Sequence, residues 1–160
     1  MNDRLRQGDL RLIEHEVAAR LLASKELARM AYVASDGTPR VFPMMFHWNG
    51  EEVVMATFGG AAKIAALRAR PDVALTIDAP GPPPEVLLIR GPAEVVEVDG
   101  IVHEYRLAHH RYFGEEQGEQ VVAAVDRPGV TMARIAVRPT WAGVLDFSSR
   151  MPGPLRHLES

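Results

Sequence analysis

The chain has 160 residues, of which 47% are hydrophobic and 24% charged, and its formal net charge is −3 at pH 7. It has no cysteine, which excludes disulfides and Cys-ligated zinc or iron–sulfur sites, while its slight acidity disfavours nucleic acid as a partner. A chain of this size buries roughly 70% of its unfolded surface, and no apolar run approaches the roughly 18 residues of a membrane span. We therefore expect one soluble cytoplasmic domain over residues 1–160 that binds no membrane, with flexible tails at 1–9 and 150–160.

The first periodic segment, residues 10–30, predicts an amphipathic helix, because Ile13, Val17 and Leu21 recur at every fourth position, with a break near Ser24 as the alternative. After it the period changes to two. Asp-Gly and Asn-Gly turn signals separate three short segments of strand character: 31–34, 41–48 and 52–57. Three strands joined by tight turns predict an antiparallel meander.

Beyond Gly59-Gly60 the chain alternates between helical and extended patterns, and Pro71 ends the first of the helices. The predicted helices cover 61–70, 99–113 and 115–125. The predicted strands cover 73–78, 85–98, 130–137 and 141–147. The strand 85–98 has an interruption at Gly91-Pro92. Six or seven antiparallel strands with a few helices predict an α+β protein whose sheet curls into a barrel.

The segment 54–64 carries the clearest chemical signal, since a strand ends in a flexible turn and a helix then begins. Backbone N–H groups at a helix start, the Thr57 hydroxyl and the Lys63 ammonium could converge on one phosphate. The turn lacks both the Walker pattern and the Gly-x-Gly-x-x-Gly of dinucleotide folds. The alternative is an ordinary turn followed by a solvated lysine.

Several segments, in their order and spacing, resemble the pyridoxamine 5′-phosphate oxidase-like, flavin-binding split-barrel family. They are residues 22–43, the strand 44–48 with its Asn-Gly turn, 56–63, 67–75, 90–93 and 135–141. The resemblance implies an α+β fold, an antiparallel six- to seven-stranded split β-barrel with flanking helices. It also implies a homodimer that holds FMN at two interface clefts and acts on a small-molecule substrate.

Carried over position by position, the family's phosphate-binding lysine falls on Lys63, with Thr57 and Ala62 beside it. The positions that would line the flavin ring are Pro43, Met44 and Met45. The two methionines point to opposite faces of a strand, so we expect only one of them to touch the ring. Trp141 resembles a late-strand aromatic that approaches the cleft, with plain core packing as the alternative.

Two departures limit the resemblance. The oxidases carry an arginine–histidine substrate motif near the C-terminus that residues 145–154 lack, so vitamin B6 oxidation is not expected. Ala61-Ala62 stands where many members have a second cation beside the lysine, and Arg40 and Arg68 are the candidate substitutes.

The histidines do not predict a metal site, because His103, His109 and His110 on one predicted helix include no i, i+4 pair. His47 lies on the strand predicted to pass the flavin ring. Its imidazole could donate a hydrogen bond or a proton to a bound cofactor.

We therefore predict an FMN-dependent oxidoreductase of unknown substrate, in which the flavin carries the hydride and no catalytic side chain is assigned. A reductase that uses the deazaflavin F-420 is the first alternative. A protein that holds a flavin or haem without turnover is the second.

Overall fold

Eight strands, four α-helices and two short 3-10 helices form the α+β fold in the computed structural model, which describes residues 4–159. The strands are Ala28–Val33 (β1), Pro39–Met44 (β2), His47–Trp48 (β3), Val53–Phe58 (β4), Asp72–Ala79 (β5), Glu85–Asp99 (β6), Thr131–Val137 (β7) and Trp141–Leu145 (β8). The α-helices are Glu16–Leu22 (α1), Ala62–Ala69 (α2), His103–Phe113 (α3) and Glu115–Val125 (α4), and the 3-10 helices are Leu10–Glu14 and Gly153–Leu158. Within residues 4–159 no helix combines the length and hydrophobicity needed to cross a membrane.

All strand pairs are antiparallel, in the order β2-β1-β5-β6-β7-β4-β3, with β8 paired to the first half of β6. The predicted class, an α+β antiparallel split barrel, is confirmed. The structure has eight strands rather than six or seven because the predicted strand 41–48 divides between β2 and β3.

The long strand β6 changes partners near its middle. Its first half pairs with β8 and its second half with β7, and the exchange occurs at Gly91-Pro92, through which the strand continues. A Cβ at Gly91 would lie 2.0 Å from the carbonyl oxygen of Arg138, so only glycine allows the β7–β8 loop to approach this closely. Thr140 N–H then donates to Arg90 O at 2.8 Å and fixes the loop.

The predicted helix 10–30 has the alternative break near Ser24, and beyond that break the helical prediction is wrong. After the 3-10 turn, α1 ends at Leu22, and the Ser24 hydroxyl donates to Leu21 O while accepting from Glu26 N–H. The strand β1 begins at Ala28, where a buried, an exposed and a buried residue follow one another. Local turn chemistry at Ser24 therefore overrides the helical period. Lys25 lies in this turn and not on the helix.

The predicted meander is also wrong, although both of its hairpins form. β1 pairs with β2 and β3 pairs with β4, but β2 and β3 lie at opposite ends of the sheet order. Phe46, between them, is fully buried and its carbonyl accepts a hydrogen bond from Arg111 of α3 at 2.6 Å. The passage of the chain from β2 to β3 depends on contacts with residues distant in sequence, and turn signals do not specify such contacts. Helix α3 likewise begins at His103, four residues later than predicted, because β6 continues to Asp99.

The core lies inside the curved sheet and is closed by α1. Its fully buried members include Leu21, Met30, Ile77 and Ile135, with Met55 beside them. The segment before α1 is fixed to β8, since Gln7 exchanges two hydrogen bonds with the backbone of Val144.

The turn after β8 is organised by the buried carboxylate of Asp146. It accepts hydrogen bonds from Ser148 N–H at 2.9 Å, Arg150 N–H at 2.6 Å and the Ser149 hydroxyl. Burial alone would raise the pKa of Asp146, but these hydrogen bonds outweigh burial and lower the pKa to about 2. A carboxyl group with a lowered pKa stabilises the fold above its unfolded pKa, and the contribution disappears as the pH falls through the folded value.

We therefore expect Asp146→Asn to lower the free energy of unfolding by about 2 kcal/mol at pH 6 and by almost nothing at pH 2. Urea unfolding of both proteins across this range measures the difference. Asp126→Asn is the matched control, because Asp126 is exposed and makes no side-chain hydrogen bond within residues 4–159. A loss at Asp146 that stays constant with pH would contradict the linkage.

Candidate functional site

A cleft of about 300 Å³ lies between β2, the end of β4 and helix α3. This volume is at the lower end of the range for small-molecule sites in proteins. Five of the seven residues to which the family resemblance assigns cofactor contacts line it: Pro43, Met44, Met45, Thr57 and Lys63. Met44 is also part of the buried core, whereas Met45 is half-buried.

The turn between β4 and α2 brings Thr57 and Lys63 to the same side of the cleft. Gly59 is required there, because a Cβ would lie 2.1 Å from the Thr131 hydroxyl of the neighbouring strand. Gly60 has a φ of +82°, a conformation that L side chains rarely adopt. The two glycines therefore form the sharp turn by which α2 begins against the end of β4.

The start of α2 is suited to an anion. Its N-cap residue, Ala61, offers no side-chain acceptor to the first N–H groups of the helix. The Lys63 ammonium has no carboxylate within 4 Å among residues 4–159, and it lies 3.8 Å from the centroid of the Phe42 ring. Burial lowers the pKa of Lys63. A half-buried cation beside free helix N–H groups favours a negatively charged ligand group at this position.

Helix α3 forms the opposite wall of the cleft with a stack of rings. The Tyr105 and His109 rings have centroids 4.0 Å apart, and Tyr105 meets Phe58 of β4 edge to face at 6.3 Å. Burial raises the pKa of Tyr105, which keeps its hydroxyl protonated at neutral pH. This wall presents aromatic side chains to a ligand.

Two polar groups interrupt the α3 wall. Burial would raise the pKa of Glu104, but a hydrogen bond and the charge of Arg134, 2.8 Å away, lower it. His109 is buried, and its Nδ1 lies 2.8 Å from the carbonyl oxygen of Tyr105. Because a carbonyl only accepts, Nδ1 carries the proton, and the Nε2 lone pair is left for another partner.

Two further residues with predicted cofactor contacts do not line this cleft. Ala62 lies in the first turn of α2. Trp141 begins β8, where the guanidinium of Arg90 stacks on its ring at 4.0 Å and Gly8 packs against its edge. Its approach to a cleft across a subunit boundary stays a prediction.

The two arginines considered as a second phosphate cation also lie outside the cleft. Arg68 pairs with Glu97 at 3.0 Å, and Arg40 pairs with Asp36 at 3.2 Å. His47, on β3, does not line the cleft either. Its pKa is lowered by burial and by the nearby charge of Arg111.

Sequence reasoning missed the α3 wall. Tyr105 and His109 are four residues apart in the predicted helix 99–113 and so share one helix face, but such a face is usually buried core. Only the crossing of α3 over β4 turns it into a wall of the cleft. Across the described part of the chain no three His, Asp or Glu side chains form a group that could hold a metal ion.

Comparison with known proteins supports the family resemblance. A family model described as pyridoxamine 5′-phosphate oxidase matches residues 13–141. No protein of curated function matches the chain. A solved F420 reductase is 26% identical with a TM-score of 0.56, over 77% of this chain and 93% of that one.

Two more distant structures share the fold alone. A putative pyridoxamine 5′-phosphate oxidase from Listeria innocua is 20% identical with a TM-score of 0.59, over 84% of this chain and 98% of that one. A heme-binding protein from Mycobacterium smegmatis is 17% identical with a TM-score of 0.61, over 86% of this chain and 55% of that one. Because the family model covers most of the chain, this protein belongs to the pyridoxamine 5′-phosphate oxidase family.

Proposed function

We propose that the protein binds FMN in the cleft and is an oxidoreductase in which the flavin carries the hydride. The observation that supports this most directly is Lys63. This half-buried lysine places its ammonium over the Phe42 ring, with no carboxylate within 4 Å among residues 4–159, at the uncapped start of α2 and next to an apolar cleft. A phosphate attached to a flat apolar ring system matches this site, because the phosphate suits the lysine at the start of α2 and the ring suits the apolar cleft beside it.

In this arrangement Lys63, the Thr57 hydroxyl and the first N–H groups of α2 would hold the phosphate. The end of β2 (Pro43 and Met44), the following Met45, and the Tyr105–His109 wall would hold the ring. A bound phosphate would favour the protonated lysine and so oppose the effect of burial on its pKa.

FMN supplies the hydride chemistry when bound, and the contribution of this chain is binding, orientation and the exclusion of water. Glu104 is fixed by Arg134 as an ionised carboxylate, which makes it a permanent local charge rather than a proton donor. The Nε2 atom of His109 can accept a hydrogen bond from a ring N–H of the bound molecule. These two residues are our candidates for orienting the ring or the substrate.

Two other cofactors remain as alternatives. The F420 reductase relative favours the deazaflavin, whose phosphate could use the same lysine. Haem is favoured by His109, because a histidine whose Nδ1 donates to a backbone carbonyl presents Nε2 as an iron ligand.

The absorbance spectrum of the freshly purified protein separates these candidates, followed by titration with FMN, F-420 and haemin in turn. Flavin bands, or tight binding of FMN with weak binding of the other two, support the proposal. Tight binding of F-420 alone makes the protein a deazaflavin reductase, and a Soret band makes it a haem protein. If none of the three binds, the cleft serves another ligand.

A homodimer is part of the proposal, because the family's cleft lies at a subunit boundary. β2 is an edge strand with five of its six residues exposed, and the outer face of β1, β2 and β5 carries an apolar groove of about 330 Å³. We place the dimer in the cytoplasm, acting on a small organic substrate. An exposed apolar sheet edge of this kind is otherwise an aggregation hazard.

A further inference from the structure

We infer that the protein has a second ligand site, a pocket for one small doubly charged oxyanion, where the two ends of the described chain meet. The site is called the arginine pocket here. Its volume is about 100 Å³, and its polar lining includes Arg4, Arg6, Arg150 and Arg156. It shares no residue with the Lys63 cleft and does not depend on what that cleft binds.

The first observation is the state of Arg150, which is only 6% exposed. Its Nε donates to Val144 O at 3.3 Å and its Nη2 to Leu5 O at 2.8 Å, so both partners are neutral carbonyls. Among residues 4–159 no carboxylate oxygen lies within 4 Å of the Arg150 guanidinium, because the nearby Asp146 carboxylate accepts from the backbone N–H of Arg150 instead. A buried cation without a direct ion pair is costly, and a bound anion would reduce that cost.

The second observation concerns the remaining nitrogen of Arg150. Nη1 makes no hydrogen bond within the described residues. Every fully buried side-chain nitrogen or oxygen in those residues does have a hydrogen-bond partner, so Nη1 is not fully buried. Nη1 is therefore accessible to solvent. Since Arg150 is otherwise buried and lines the arginine pocket, this donor is available to a ligand in the pocket.

The third observation is the local charge. Four arginines line the pocket, and the two carboxylates that act on Arg150 are those of Asp146 and Glu159. The Asp146 carboxylate accepts hydrogen bonds within its own turn, and Glu159 pairs with both terminal nitrogens of Arg4. Among residues 4–159 these four arginines and two carboxylates sum to a charge of +2, which matches a dianion. Planar guanidinium groups bind phosphate and sulfate oxygens in pairs.

The size of the pocket limits the ligand. About 100 Å³ corresponds to roughly three water molecules, which is room for one tetrahedral oxyanion but not for a nucleotide or a flavin. The ligand is therefore a free phosphate or sulfate ion, or the phosphate end of a molecule whose remainder lies in solvent. Its binding would join residues 4–7 to residues 150–156.

Thermal unfolding of the whole chain in phosphate, in sulfate, in glycerol phosphate and in chloride of equal ionic strength tests the inference. Phosphate and sulfate at about 100 times their dissociation constant should raise the Tm by about 5–10 °C above the chloride value. The same gain with glycerol phosphate identifies a phosphate end as the ligand, and its absence identifies a free ion. No gain over chloride with any of the three anions would overturn the inference.

Variants locate the effect. Arg6→Gln and Arg156→Gln, both at exposed positions, should remove most of the gain without unfolding the chain. Arg127→Gln should retain it, because Arg127 is an exposed arginine outside the pocket. Lys63→Ala should also retain the gain. If only Lys63→Ala abolishes it, the phosphate binds in the cleft, which supports the FMN proposal and overturns this one.

Discussion

Replacing Lys63 by alanine should weaken FMN binding by about 10- to 150-fold. A charge-assisted hydrogen bond from an ammonium to a phosphate in a partly dry site contributes roughly 1.5 to 3 kcal/mol. The alanine variant keeps the α2 N–H groups and the Thr57 hydroxyl, so binding should weaken without being lost. Quenching of flavin fluorescence on titration measures the dissociation constants of both proteins.

Two controls make this result specific. Lys25 is the only other lysine of the chain and is exposed in the turn after α1, so Lys25→Ala should leave the affinity unchanged. Riboflavin lacks the phosphate, and its affinity should be nearly the same for the wild type and for Lys63→Ala. Equal losses in both lysine variants would point to a general effect of charge. An unchanged FMN affinity in Lys63→Ala would place the phosphate elsewhere.

The phosphate end of the cleft could be predicted from the sequence because its residues lie close together in the chain. Thr57, the glycine turn and Lys63 lie within seven residues, and one strand, one turn and one helix bring them together. The ring end was accessible only in part. Family resemblance pointed to β2, but the α3 wall depends on how α3 crosses β4, which is a contact between segments some fifty residues apart.

The same distinction explains the errors in the fold. Hairpins were predicted correctly because an Asp-Gly or Asn-Gly turn determines the pairing of its own two strands. The meander failed because nothing local specifies that β2 and β3 separate at Phe46, whose burial and hydrogen bond to Arg111 involve a distant helix. Gly91 was noticed as an interruption of a strand, but its cause, the close approach of Arg138, is equally remote.

Strand β2 links the cleft to the proposed dimer. Side chains alternate along a strand, and Phe42 lines the Lys63 cleft while its neighbour Val41 lines the outer groove. Val41 is 65% exposed and Phe42 48% exposed. A second copy that covers the groove through this edge would therefore also lie beside the cleft, which gives a physical reason for cofactor binding and dimer formation to depend on each other.

We expect the wild type to sediment as a dimer at micromolar concentration, with an interface above roughly 1,000 Å². Val41→Asp should raise the dimer dissociation constant by at least about 100-fold. In a two-fold interface the substitution occurs twice, and each copy then removes a carboxylate from water, at a cost of several kcal/mol. Sedimentation velocity over a concentration series measures the shift. Because Val41 is exposed in the single chain, its replacement should leave the fold intact.

Val96→Asp is the matched control for the dimer prediction. Val96 is also an exposed strand valine, 43% accessible, but it lies outside the groove. Its replacement should leave the dimer unchanged, so that a loss confined to Val41→Asp assigns the interface to the β2 edge. In Val41→Asp the affinity for FMN should fall together with the fraction of dimer. It should recover as the protein concentration is raised, since mass action restores the dimer. A monomeric wild type, or a Val41→Asp dimer as tight as the wild type, would show that this edge is not the interface.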